Sequence, residues 1–193
     1  MSKTVTYAEF DLISVETDGK KLKVSYYDKQ RGNIEENPKG FDVPHPDLIE
    51  ALKDPIGREV MATSLCLLEG WDFAREHNRN NDEALSKARV MHTNEINRCE
   101  VTKLFFTGED ESEGIKFKGK LDCDGAKVPL ETPQFVFIEA DSELAERAKE
   151  YAEKVKKEVW NYLFKGKKSQ QSLNLDESKE DEGSKPKGGL NVA

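Results

Sequence analysis

The chain carries 193 residues, 38 of them acidic and 30 basic, for a formal net charge of -8. That length accommodates one domain with a real core, and the acidic balance excludes a protein whose whole surface grips nucleic acid or anionic lipid, while leaving room for a local basic patch. A charged fraction of 35% with a mean hydropathy of -0.77 is more polar than a compact domain needs, which points to charged loops and a solvated tail.

Taken in chain order, Phe10 to Thr17 and Lys20 to Tyr27 alternate apolar and polar residues around Asp18-Gly19, a dipeptide suited to a two-residue hairpin turn. The register this predicts sets Glu16 opposite Lys21, Val15 opposite Leu22, Ile13 opposite Val24 and Asp11 opposite Tyr26. Residues 28 to 40, rich in Lys, Glu, Asn and Gly with Pro38, read as an exposed loop. Pro46 then suits the first turn of a helix, where its missing N–H costs nothing, and Leu48, Ile49 and Leu52 mark the buried side. Pro55 breaks that helix and Asp54 caps a new one. Ile56, Val60 and Leu67, flanked by Met61, Leu65 and Leu68, form a stripe wide enough to cover a sheet, and Gly70 is expected to end it.

Between Trp71 and Asn94 the pattern is weaker. Trp71 and Phe73 suit anchors, residues 78 to 82 a loop tip, and Glu83 to Met91 a short helix. From Glu95 to Ile138 the spacing predicts an antiparallel meander. Its first strand, Ile96 to Thr107, places Cys99, Val101 and Phe105 on one face and Ile96, Leu104 and Phe106 on the other. An acidic turn follows at residues 109 to 113. In the next strand Ile115, Phe117, Gly119 and Leu121 point one way and Lys116, Lys118 and Lys120 the other. Asp124-Gly125 predicts pairs Cys123 with Ala126, Asp122 with Lys127 and Leu121 with Val128. Pro129 and Pro133 make the third strand an edge or a broken strand, and Phe135 to Ile138 supply a final buried run.

The last element runs from Ser142 to Phe164, with Asp141 as N-cap and Leu144, Ala148, Tyr151, Val155, Val159 and Tyr162 on one face. Periodicity then stops, and residues 165 to 193 read as a disordered polar tail whose five acidic residues and six lysines nearly cancel. The expected architecture is one α+β domain over residues 1 to 164, an antiparallel sheet built from two hairpin systems and covered by helices. Cys66, Cys99 and Cys123 lie far apart without a C-x-x-C, as reduced thiols of a cytoplasmic protein do. The sequence holds no apolar run of membrane-spanning length and its start lacks a signal-peptide core, so no membrane partner is expected.

Residues 105 to 115, Phe-Phe-Thr-Gly-Glu-Asp-Glu-Ser-Glu-Gly-Ile, followed by Gly119 and by Leu130-Glu131-Thr132-Pro133, resemble a group of small α+β proteins encoded by tailed phages of gut anaerobes. The likeness covers the second half of the chain and, loosely, the front hairpin. It implies a phage accessory gene expressed in the cytoplasm of a bacterial host. That group has no established activity and no catalytic residues to carry over.

The chemistry-bearing residues narrow the function classes. The acidic turn does not follow the ligand spacing of a calcium loop and suits a solvated hairpin tip. His45, His77 and His92 have no second ligand at helical spacing, and no Walker, G-x-S-x-G or H-E-x-x-H motif is present, so no cofactor, metal or catalytic set is assigned. Trp71, Phe73, Arg75, Arg79, Lys87, Arg89 and Arg98 gather positive charge and aromatic faces in one region of an acidic chain, the combination that holds single-stranded nucleic acid. The same residues fit core anchors with ordinary solvated cations. Lys116, Lys118 and Lys120 form a second row, which on an outer strand would deter edge pairing. The leading expectation is a non-enzymatic accessory protein that binds a host or phage macromolecule. The alternatives are a single-strand nucleic-acid binder in phage replication or recombination, and an enzyme with an unrecognised site.

Overall fold

The computed structural model describes residues 6–18, 20–36, 44–138 and 142–165. Two antiparallel meanders share one sheet. The first comprises β1 (Phe10–Thr17), β2 (Leu22–Asp28) and β3 (Asn33–Glu36); the second comprises β4 (Cys99–Thr107), β5 (Gly114–Cys123) and β6 (Ala126–Glu131). Their order is β3-β2-β1-β4-β5-β6, and a short β7 (Phe135–Val136) pairs with the start of β5. Between the meanders come α1 (Pro46–Leu52), α2 (Pro55–Ser64), α3 (Glu69–His77) and α4 (Asp82–Arg98), and α5 (Ser142–Phe164) closes the described chain.

Helices α1, α2 and α5 pack together over one sheet face. Phe10, Leu12, Val15, Val24, Leu104, Ile115 and Phe117 meet Leu48, Val60, Met61, Tyr151 and Val155 in one continuous core. Burying a Leu, Ile or Phe side chain is worth about 1.5–3 kcal/mol, so this layer is the main source of stability. The α5 stripe is placed as its spacing predicts, with Ala148, Tyr151, Val155, Val159 and Tyr162 all buried. The expectations for Asp141, Gly19 and the tail from residue 166 lie outside the described residues.

The second hairpin has the predicted register: Cys123 pairs with Ala126, Asp122 with Lys127 and Leu121 with Val128. Asp124 at φ 53° and Gly125 at φ 88° supply the two positive dihedrals of a type I′ turn. Val128, however, is 46% exposed, because outermost β6 extends past the helical cover. Thr132 closes this edge where Pro133 ends the pairing. Its buried Oγ1 accepts a hydrogen bond from Phe117 N at 3.1 Å and donates one to the Pro133 carbonyl at 2.8 Å.

The first hairpin differs from its expected register. Glu16 pairs with Lys23 and Val15 with Val24, because Asp18 Oδ1 accepts from both Lys20 N and Lys21 N at 2.8 Å and widens the loop. That shift of two residues keeps Val15 on the core face, but it falls to one before Ser14, where Asp11 pairs with Tyr27 rather than Tyr26 and Phe10 and Leu12 are the buried residues. A bulge between Leu12 and Ser14 leaves Ile13 unpaired. Residues 33–36 are not loop but edge strand β3, whose Ile34 is exposed and whose polar sequence shows no alternation.

Three further boundaries move. Ile96 belongs to α4 rather than to a strand, and β4 starts at Cys99. A bulge at Thr102 then puts Cys99 and Val101 on the same face as Leu104 and Phe106, with Phe105 opposite. Gly70 lies inside α3. The preceding helix stops at Ser64 in a Schellman turn, with Cys66 at φ 56° and Leu67 N donating to the Ala62 carbonyl at 3.0 Å. Finally, Phe135 is buried but Ile138 is 68% exposed, so the last run is buried only at its start.

Asp54 illustrates how the caps contribute. Its Oδ1 accepts from Ile56 N at 3.0 Å while Oδ2 meets Lys154 Nζ of α5 at 2.9 Å. Partial burial works to raise its carboxyl pKa, but the Lys154 contact and the Ile56 amide outweigh it and hold the group below the usual carboxylate range. A depressed folded-state value contributes stability above the unfolded carboxyl pKa, and that contribution is lost as pH falls through the folded one. Asp54→Ala is therefore expected to cost about 1 kcal/mol at neutral pH, with urea curves of variant and wild type converging below the native carboxyl pKa.

Candidate binding hairpin

Helices α3 and α4 form a hairpin, with α4 lying against α2, β4 and β5 and α3 packing chiefly against α4. Asn81 caps α4, its Oδ1 accepting from Ala84 N at 3.0 Å, so the tip covers residues 78–81 while Asp82, expected in the tip, starts a helix that runs past Met91 to Arg98. The inner side of α4 presents Leu85, Ala88, His92 and Ile96, spaced to make one face, and half-buried Trp71 meets His92 at 5.2 Å between ring centroids.

The seven residues singled out from the sequence therefore divide. Trp71 is an interhelical anchor. Phe73, two residues on and so roughly 200° around the helix, points outward at 63% exposure with its ring stacked on His77 at 4.1 Å. Arg75 pairs with Asp72, and Lys87 with Glu83. Arg79 at the tip and Arg89 on α4 make no ion pair among the described residues. Lys87 and Arg89 flank Ala88 on opposite sides of α4, so the cations are distributed around the hairpin rather than gathered in a groove.

Arg98 has a structural post. Nη1 bonds Glu95 at 2.7 Å, Nε donates to the Asp122 carbonyl at 2.7 Å and Nη2 reaches Cys123 Sγ at 3.7 Å, tying the end of α4 to the β5–β6 turn. Those contacts, led by the Cys123 thiol, raise its pKa further. Neighbouring Cys99 is buried, and burial reinforced by Glu95 pushes its thiol up to about 11, which makes it unreactive at neutral pH.

The sequence did not show that Val90 and Met91 join Phe73 outside. They are 58% and 67% exposed, so the hairpin carries three of the seven most exposed large apolar side chains among the described residues. Weak amphipathicity in α4 was the available signal. The lysine row is not on an edge, since β5 lies between β4 and β6; Lys116 and Lys118 both pair with Glu131, and Lys103 lies 4.7 Å from the Phe105 ring centroid. Among the described residues no group of three or more His, Cys, Asp or Glu side chains is placed to hold a metal ion, and no helix is long and apolar enough to cross a membrane.

No family model matches the chain, and no significant match was found among curated proteins or solved structures.

Proposed function

We propose that the chain is a non-enzymatic accessory protein, of the kind tailed phages encode, whose α3–α4 hairpin docks a macromolecular partner in the cytoplasm of the host cell. The observation that carries this reading is the outward Phe73, with Val90 and Met91 exposed on the same projecting element. Exposed aromatic and Met side chains beside arginine are the composition of binding hot spots. The likeness of residues 105 to 133 to the phage group supports the setting. The test is retention of a host or phage protein by the immobilised chain. Phe73→Ser with Met91→Ser should release that protein, and Ile34→Ser on the far edge strand should not. Retention of nothing above background sinks the reading.

A second reading has its own observation, the outward Phe73–His77 stack on a hairpin that also carries Arg75, Arg79 and Arg89. An exposed ring near cations can stack on a base, a contact worth about 1–3 kcal/mol. A labelled single-stranded oligonucleotide should then bind with an affinity that falls steeply with salt, and replacing Arg75, Arg79 and Arg89 by Gln should flatten that slope. Absence of binding at low salt disposes of it.

A further inference from the structure

Among the described residues the two meanders are joined by only three residue pairs, Ser14 with Phe105, Val15 with Leu104 and Glu16 with Lys103. Beyond Glu16 the strands part, and α1 and α2 close the gap from one side. The result is a fork-shaped cleft of about 790 Å³ lined by residues from β1, α1, α2, β4, β5 and β6. That volume is in the range of small-molecule sites.

Its electrostatics run against those of the chain. Three carboxylates line it, and each is already engaged: Glu16 with Lys103 at 3.3 Å, Asp18 with the Lys20 and Lys21 amides, and Glu100 with Lys127 at 2.7 Å. Arg58, Lys53 and Lys120 also line it and make no ion pair among the described residues. Arg58 is half-buried; its Nη1 donates to Asn97 Oδ1 at 3.2 Å, and its Nε is buried without a hydrogen-bond partner among the described residues. Nη2 has no hydrogen-bond partner among the described residues and is not shut away as Nε is, so it is the part of the guanidinium left for a ligand. The lysines are close enough to act together: the Lys127 bond, opposed by partial burial and assisted by Lys120 and Lys53, holds the Glu100 carboxyl below its ordinary value.

We propose that this fork binds a small phosphorylated molecule, its phosphoryl oxygens meeting Arg58, Lys53 and Lys120 and its remainder lying against Leu52 and Val101. A guanidinium fork and two ammonium groups match the several oxygens of a phosphoryl group better than a single carboxylate. The cleft is bounded by two diverging strands and the net charge is -8, features that favour a compact anion over a long nucleic-acid backbone.

The test titrates inorganic pyrophosphate into the full chain by calorimetry at low ionic strength. Saturable binding to one site is expected, weakened about tenfold or more by Lys120→Gln or Lys53→Gln and by Arg58→Gln, and unchanged by Arg79→Gln on the hairpin. Lys120 is exposed, so its variant remains informative if Arg58→Gln fails to fold. No saturation up to about 10 mM overturns the proposal, as does equal weakening by Arg79→Gln. A single-stranded oligonucleotide that displaces pyrophosphate and binds more tightly overturns the small-molecule assignment.

Discussion

Gly119→Ala is expected to destabilise the protein by about 3 kcal/mol, at the upper end of what overpacking a core costs. Gly119 sits on the core face of β5 opposite Val101, next to the bulge at Thr102. A Cβ there would lie 2.3 Å from the Glu100 carbonyl oxygen and 2.7 Å from Met61 Cε of α2. The methionine end can rotate away, but the carbonyl is fixed in its strand, so β4 must move. Urea denaturation should show a lowered midpoint, and amide exchange should accelerate in residues 99–102 before the rest of the sheet. Gly125→Ala is the contrast: no described residue lies within 4 Å of a Cβ there, and only the positive φ opposes it, a cost of about 1–2 kcal/mol. Equal effects at the two sites would show that the β4–β5 approach is not as tight as described.

Gly57→Ala is expected to cost about 2 kcal/mol net. Alanine is ordinarily the better helix residue by about 1 kcal/mol, so the sign is the informative part. Here an added Cβ would lie 2.7 Å from both Cζ and Oη of Tyr151. That ring is fully buried between α2 and α5, its hydroxyl without a hydrogen-bond partner among the described residues, and cannot swing outward without opening the core. Gly70→Ala in α3 meets no described residue within 4 Å and should instead gain up to about 1 kcal/mol. Opposite shifts in the urea midpoint are thus expected for the same substitution in two helices. A stabilised Gly57→Ala would mean that the α2–α5 contact has room to spare.

Both predictions concern glycines that the sequence left nearly silent. In the sequence Gly119 is one more member of an alternating face, and Gly57 one small residue within an apolar stripe. Neither residue is needed for its own dihedral angles. What fixes them is the distance to a partner remote in the chain, and no local pattern encodes that distance.

The candidate hairpin was partly legible for the same reason. Its loop tip could be placed, because Asn and Asp side chains compete for backbone amides over a few residues. Which aromatic faced out could not. Trp71 and Phe73 look alike as sequence, and only the packing of α3 on α4 sends one toward His92 and the other to solvent. The phosphate cleft had no sequence signal: Lys53 and Arg58 flank the α1–α2 junction, but Lys120 comes from β5, and only the fork where β1 and β4 diverge brings it to them.

Local physical chemistry written in the chain determined the α5 stripe, the proline-led starts of α1 and α2, the type I′ turn at Asp124-Gly125 and the α+β class. Each depends on backbone geometry and side-chain periodicity within a few residues. Tertiary structure alone decided the first hairpin's register, the bulge that turns Phe105 away from Val101, edge strand β3 and the fork between meanders. Those depend on which strand edges meet across the fold, and pairing between distant edges is settled by the packing of the whole core.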